Sequence, residues 1–341
     1  MFPRRQQLTP KQSLLILLAL FLGGFTAWYL TRPLSVSELT EKAAHGDTKA
    51  QYELAWHYIQ GSQVKRDPKQ AFHWLLKAAH QGHSDAQILV AEYILSGTGT
   101  TKDPQRAIQW LEQPGLQHNP KAQYHLANIY MEDTDIPLNY AKAFQLFYQS
   151  AHQGYVPAQT SLSYMYYYGY GTRQDYPLAY YWNQRAAQGH DSLAMSNLAE
   201  MYYRGLGTKQ DYTQALYWYQ KAANEGEPLA RVNLAYMYAH GIGVPQDQST
   251  ADRYIGLVFT QADPDYLFEI ASSFETGKST PQDKVQARVW MQLAASQGNP
   301  KAKEHLAYLD KHLSQIEKAQ AKQHLDHLYS LADFQFGRPA S

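Results

Sequence analysis

A period of 36 residues runs through this chain and limits what it can fold into more than any other feature. Laid out at that spacing, a small residue recurs at Ala50, Ala86, Ala122, Ala158, Ala194, Ala230 and Ala302, and Tyr266 alone breaks the series. Four and five residues on come pairs such as Leu54-Ala55, Leu126-Ala127, Leu198-Ala199 and Leu306-Ala307. Eight residues on come Tyr58, Ile94, Tyr130, Tyr166, Tyr202, Tyr238 and Phe274. Such spacing gathers the apolar groups on one face of a helix, and the alanines let a neighbouring helix approach closely.

A second helix follows in phase. Gly61, Gly97, Gly169, Gly205, Gly241 and Gly277 stand where the first helix must end, and glycine is the usual residue for a left-handed helix terminus. Asp67, Asp103, Asn139, Asp175, Asp211, Asp247 and Asp283 then supply side-chain acceptors for orphan N–H groups of a new first turn. Pro68 and Pro104 fit its first helical position. Ala71, Ala107, Ala143, Ala179, Ala215, Ala251 and Ala287 lie four residues past each cap. Trp74, Trp110, Leu146, Trp182, Trp218, Tyr254 and Trp290 lie three further and can fill the space between hairpins. The segment YYYGYGTRQD (166–175) has the look of a glycine-rich phosphate loop. Its recurrence as YYRGLGTKQD (202–211) and YAHGIGVPQD (238–247) makes it a repeat turn instead. A single hairpin of this kind cannot bury its own apolar face, so the hairpins must stack.

In detail the pattern resembles the Sel-1-like repeat, a relative of the tetratricopeptide repeat. The stretch AMSNLAEMYYRGLGTKQDYTQALYWYQKAANEG (194–226) matches it almost throughout, and the resemblance covers roughly residues 38–312 in seven copies. It implies a right-handed α-solenoid of stacked helix hairpins and a role as adaptor or scaffold. In bacteria many such proteins are exported and organise envelope, secretion, motility or host-contact machinery. A cysteine-rich branch of the family staples each hairpin with a disulfide, and nothing peculiar to that branch carries over to a chain without cysteine.

Departures from the repeat mark expected irregularities. Pro114-Gly115 replaces the Ala-Ala pair of the second repeat, and Val258-Phe259 replaces that of the sixth. The third turn, MEDTDIPLN (131–139), carries three acids and no glycine. After Leu313 the period stops. Residues 314–334 read as a further amphipathic helix whose Ile316, Leu325, Leu328 and Leu331 would cap the last hairpin.

The first 33 residues form a separate region. Arg4, Arg5 and Lys11 precede the uncharged run 14–30, which at 1.5 Å per residue would reach roughly 25 Å, close to a thin hydrocarbon core. Trp28 and Tyr29 sit at an interfacial position before Arg32. Phe25 occupies the minus-three position for cleavage after Ala27, where a small residue is wanted. The expectation is an uncleaved signal anchor in a bacterial inner membrane, N-terminus in the cytoplasm and repeats in the periplasm. The domain plan is then anchor 1–33, solenoid 34–312, and terminal helix with tail 313–341.

Equal numbers of basic and acidic side chains, 30 each, leave no basic excess for a nucleic acid. The absence of cysteine removes disulfides, thiolate metal sites and cysteine nucleophiles, and it fits an oxidising compartment. His324 and His327 with Asp326 lack a third metal ligand, and Glu132, Asp133 and Asp135 lack the spacing of a calcium loop. SQVK (62–65) has the form of a nucleophile motif but falls in a repeat turn. No enzyme, metal or cofactor is expected.

The 28 tyrosines point elsewhere. If the first helices line a concave face, positions two, six, nine and ten after each marker alanine face inward. In repeats four to six these include Tyr164, Tyr167, Tyr168, Glu200, Tyr203, Arg204, Tyr236 and His240. Asn197 and Asn233 resemble the asparagines that hold ligand backbone in tetratricopeptide grooves. Tyrosine combines rigid contact area with a polar tip, which suits a protein or peptide partner. The expected function is a non-enzymatic, membrane-anchored periplasmic scaffold that helps place or assemble an envelope machine. The alternative is an exported repeat protein acting on a host receptor or cell-wall component, or modulating an enzyme.

Overall fold

The computed structural model describes residues 34–132, 135–278 and 280–336. Among them the secondary structure is entirely helical, with 17 α-helices and one short 3₁₀ turn. The proposed anchor at 14–30 and Asp133 of the acidic turn lie outside the described residues. Among the described residues no helix is long and apolar enough to cross a membrane.

Two compact units divide the chain near Gln117. The first contains α1 (Val36–Ala44), α2 (Thr48–Gln60), α3 (Pro68–His80), α4 (Ser84–Ser96) and α5 (Pro104–Leu111). Pro114 and Gly115 stop the last of these early, and 114–116 form the 3₁₀ turn. The second unit contains α6 (Pro120–Glu132), α7 (Tyr140–His152), α8 (Val156–Tyr168), α9 (Tyr176–Gln188), α10 (Ser192–Arg204) and α11 (Tyr212–Asn224). It continues with α12 (Pro228–His240), α13 (Gln248–Gln261), α14 (Pro264–Thr276), α15 (Lys284–Ser296), α16 (Pro300–His312) and α17 (Gln315–Phe336).

Each hairpin is closed by the residues that the period singles out. Gly169, Gly205, Gly241 and Gly277 end α8, α10, α12 and α14 with φ between 67° and 74°. The N–H of Asp175, Asp211, Asp247 and Asp283 bonds back to the carbonyl of Tyr166, Tyr202, Tyr238 and Phe274. Their side chains cap the next helix. The glutamine before each aspartate adds a tie: Gln174, Gln210, Gln246 and Gln282 donate 2.8–2.9 Å bonds to carbonyls seven residues earlier. The second loop glycine has a different job. A Cβ on Gly171 or Gly207 would overlap the carbonyl of Tyr140 or Tyr176, at the start of the preceding hairpin's second helix. Only glycine permits that approach.

Stacking buries the marker alanines at 3% exposure or less. The residue after the marker ties one hairpin to the last. Gln51, Gln87, Gln159 and Arg231 donate to the carbonyls of Ala43, Ala79, Ala151 and Ala223, in the last turn of the preceding helices, which also accept the N–H of the linker glycine. The junction between α13 and α14 departs from this regularity. Elsewhere in the second unit each second helix packs closely on the next first helix, but among the described residues the α13–α14 backbones do not. The cause is legible in the residues. Val258 and Tyr266 occupy alanine positions at that junction, and an extended Ala262 ends α13 where most other linkers place a glycine at positive φ. The Tyr266 hydroxyl donates instead to the carboxylate of Glu227, the N-cap of α12.

The terminal helix α17 packs on α15 and α13. Ala321 and Leu328 are buried and Leu325 is half-buried, but Ile316 is 74% exposed and caps nothing. Ile316 lies five residues before Ala321, which turns it about 140° away from the buried stripe.

Candidate functional site

The first helices α8, α10 and α12 bring most of the expected partner-binding residues into one neighbourhood, around a turn contributed by the seventh hairpin. On α8, the Tyr164 and Tyr168 rings lie 4.6 Å apart, and Tyr168 also packs on Tyr167 at 4.7 Å and Tyr170 at 5.7 Å. Tyr167 leans edge-on against Tyr176. Burial raises the phenol of Tyr167 to about 12, with the Glu200 carboxylate adding to it, and raises that of Tyr168 further. These hydroxyls stay protonated and serve as neutral donors or acceptors.

Next to them on α10 sits Glu200, buried although it carries a carboxylate. Burial pushes its pKa up to about 7, against the opposing pull of Arg204 and Lys278. Arg204 Nε lies 3.1 Å from Glu200 Oε1, close enough to pair by charge. The alignment is not that of a hydrogen bond, and Oε1 has no hydrogen-bond partner. Arg204 Nη2 instead donates a 2.5 Å bond to the carbonyl of Gly277, 73 residues away. Beyond Gly277, Lys278 Nζ stands 4.4 Å above the Tyr168 ring and 5.3 Å above that of Tyr164, and 3.4 Å from the Tyr164 hydroxyl. Thr280 is buried, 3.1 Å from the Ser273 hydroxyl. Glu200, Tyr203, Arg204, Asn233, Tyr236 and the turn residues Thr280 and Pro281 line a cavity of about 160 Å³.

The two remaining residues part from this group. His240 does not line that cavity: its Nδ1 contacts the Tyr236 carbonyl at 2.9 Å, and it opens onto a second cavity of about 350 Å³ among α12, α13, α15 and α17. Asn197 is half-buried on α10 and lines neither cavity. Arg204 has a second role inside the fold, because its guanidinium is the counter-charge of a buried carboxylate. His324 and His327 also have ordinary partners. His324 Nδ1 is 3.2 Å from Gln286, and His327 is 3.3 Å from Asp252. No group of three metal-ligating side chains is found among the described residues.

The sequence reading missed Lys278, although a signal was present. Gly205-Leu206-Gly207 and Gly241-Ile242-Gly243 become Gly277-Lys278-Ser279 in the seventh repeat, so a cation replaces the apolar residue and serine replaces the second glycine.

The Sel1 repeat model matches residues 48–83, 84–113, 120–155, 156–191, 192–227, 228–251 and 264–299, more than half of the chain. The chain belongs to the Sel1 repeat family. Sel1 repeat proteins generally mediate protein–protein interactions and are typically non-catalytic scaffolds. One solved relative is a protective antigen present in uropathogenic Escherichia coli strains that displays an SLR fold. It is 29% identical with a TM-score of 0.62 over 89% of this chain. This chain spans 65% of that antigen's length. A Sel1 repeat protein from Oxalobacter formigenes is 28% identical, with a TM-score of 0.56 over 83% of this chain and 84% of its own. Among curated proteins no sequence matches.

Proposed function

We propose that this Sel1 repeat protein is a non-enzymatic scaffold, held at the bacterial inner membrane by residues 14–30, that binds a protein or peptide in the periplasm and helps assemble an envelope machine. The observation that carries the reading is the aromatic cluster on α8, α10 and α12. Tyr203 and Tyr236 line a small cavity, and with Tyr164 and Tyr168 they are only half-buried, while the marker alanines and Tyr166 already fill the stack. Rigid aromatic anchors of this kind commonly dominate protein recognition. The uncharged run and its basic flank support the anchor and its orientation.

The test is a site-specific photo-crosslinker at Tyr236, compared with one at exposed Tyr308 on α16, in cells carrying the full chain. One discrete adduct from position 236 that Tyr164→Ala removes is the expected result. Equal labelling from both positions would end the reading. A reporter that works only outside the cytoplasm, fused after Ser341, should be active; activity of a cytoplasm-only reporter would reverse the topology.

A second reading is favoured by the likeness to a protective antigen: an exported protein acting on a host receptor or cell-wall component. N-terminal sequencing separates the two, because a mature chain starting after Ala27 belongs to the exported form.

A further inference from the structure

In the fourth to sixth repeats the residue between the loop glycines is Tyr170, Leu206 or Ile242, each packed against the apolar core. Lys278 holds that place in the seventh, and an ammonium has nothing to gain there. This turn instead reaches across to the helices of the fourth and fifth repeats. Its ammonium lies over the faces of Tyr168 and Tyr164, and the carbonyl one residue before it is held by Arg204. The tyrosine face therefore already displays a ligand: a lysine head over two phenol rings, near the buried Glu200 carboxylate, with a backbone carbonyl fastened by a guanidinium.

We propose that Gly277-Lys278 is a resident stand-in for the partner, which docks by placing its own lysine on Tyr164 and Tyr168 and its preceding carbonyl on Arg204. This rests on the tyrosine face being the docking surface. The charge pattern selects lysine over an acidic side chain. The ring faces are electronegative, Glu200 is drawn toward Lys278, and the Arg204 charge is already committed to Glu200 and the Gly277 carbonyl. Displacement is feasible because the stand-in is lightly held. Lys278 is exposed, and the tie to Gly277 is one hydrogen bond from an exposed arginine. A tethered competitor has a high effective concentration, so a partner must also gain contacts the turn does not make. The cavity between Tyr203 and Tyr236 supplies room for a neighbouring side chain.

The probe is a blocked peptide of the chain's own sequence, Glu-Thr-Gly-Lys-Ser-Thr-Pro (275–281), titrated by NMR into the full chain in detergent. A version with glutamine for lysine is the control. Lys278→Ala vacates the rings without touching the core, and its melting should match wild type. The Lys278→Ala chain should bind the lysine peptide about fivefold more tightly than wild type does, the scale of a cation–π contact released from competition. The glutamine peptide should bind neither chain, and adding Tyr164→Ala should abolish the gain. Equal affinity of wild type and Lys278→Ala, equal affinity of the two peptides, or no binding at millimolar peptide would each overturn the proposal. If the peptide fails while Tyr164→Ala still removes the cellular crosslink at Tyr236, the docking surface stands and the lysine chemistry falls. If that crosslink is also insensitive to Tyr164, the surface itself falls.

Discussion

Glutamine at position 200 should remove a stability cost that grows in the wild-type chain as pH rises from 4.5 and is complete above 7. Glu200 is 8% exposed, and its carboxyl is pushed from 4.5 up to about 7 in the folded chain, chiefly by burial. Between those values the unfolded carboxyl has already lost its proton while the folded one still holds it. Stability is therefore fully present below pH 4.5 and lost as pH rises through 7. At about 1.4 kcal/mol per unit, the shift amounts to roughly 3 kcal/mol. Glutamine imitates the protonated acid in shape and charge. Glu200→Gln should accordingly match wild type near pH 4 and exceed it by roughly 3 kcal/mol at pH 8, or about 6–12 °C if the second unit melts as one.

A half-buried histidine in the same unit makes the comparison sharper. Burial lowers His125 from 6.5 to about 4, so its contribution runs the opposite way and is lost as pH falls from 6.5 toward 4. The two groups offset each other in wild type, and Glu200→Gln should expose the acid-side slope of His125. The assay is thermal melting by circular dichroism of both proteins in half-unit steps from pH 4.5 to 8. A melting difference that stays constant across that range would refute the reasoning, since Glu200 would then ionise alike in both states.

The other predictions need only melting or exchange measurements. Gly207→Ala should cost about 2–4 kcal/mol, combining positive φ with the collision at the Tyr176 carbonyl. Gly226→Ala, with open space around it, should cost only about 1 kcal/mol, so equal losses would sink the close-approach argument. Phe147→Ala empties a fully buried site in the second unit and should cost about 3–5 kcal/mol by urea unfolding. Tyr266→Phe leaves the buried Glu227 carboxylate without its hydroxyl donor and should cost about 1–3 kcal/mol. Hydrogen exchange should accelerate first in α14; unchanged protection there would count against the junction described above.

The repeat was legible because each of its rules is local. Glycine φ, aspartate capping and alanine burial depend on neighbours within one hairpin or the next, and the period displays all three. The glutamines of the Gln-Asp pairs obeyed the same logic and were equally visible, but their ties are made through side chains that no periodic apolar pattern exposes. The site was legible only in part. Tyr164, Tyr168, Tyr203 and Tyr236 could be placed on one face from spacing alone. Glu200 could not be recognised as buried, nor Arg204 as engaged, because both depend on a turn 73 or more residues away. A departure at Val258 and Tyr266 signals that regular stacking ends, but not where the displaced hairpin comes to rest. Ile316 shows the same limit, since one apolar residue does not reveal which stripe of a terminal helix is covered.

The terminal helix alters how such a chain comes apart. In a stack whose members touch only their neighbours, stability is a sum of intrinsic and adjacent-interface contributions, and the ends fray first. Here α17 grips both α13 and α15, straddling the junction where the α13 and α14 backbones do not pack closely, and Arg204 and Lys278 add light contacts between repeats two and three places apart. The last hairpins and the middle ones thus form a closed circuit of contacts. Opening any one link leaves the others to hold the ends in place, so protease sensitivity should begin elsewhere than at the C-terminal repeat.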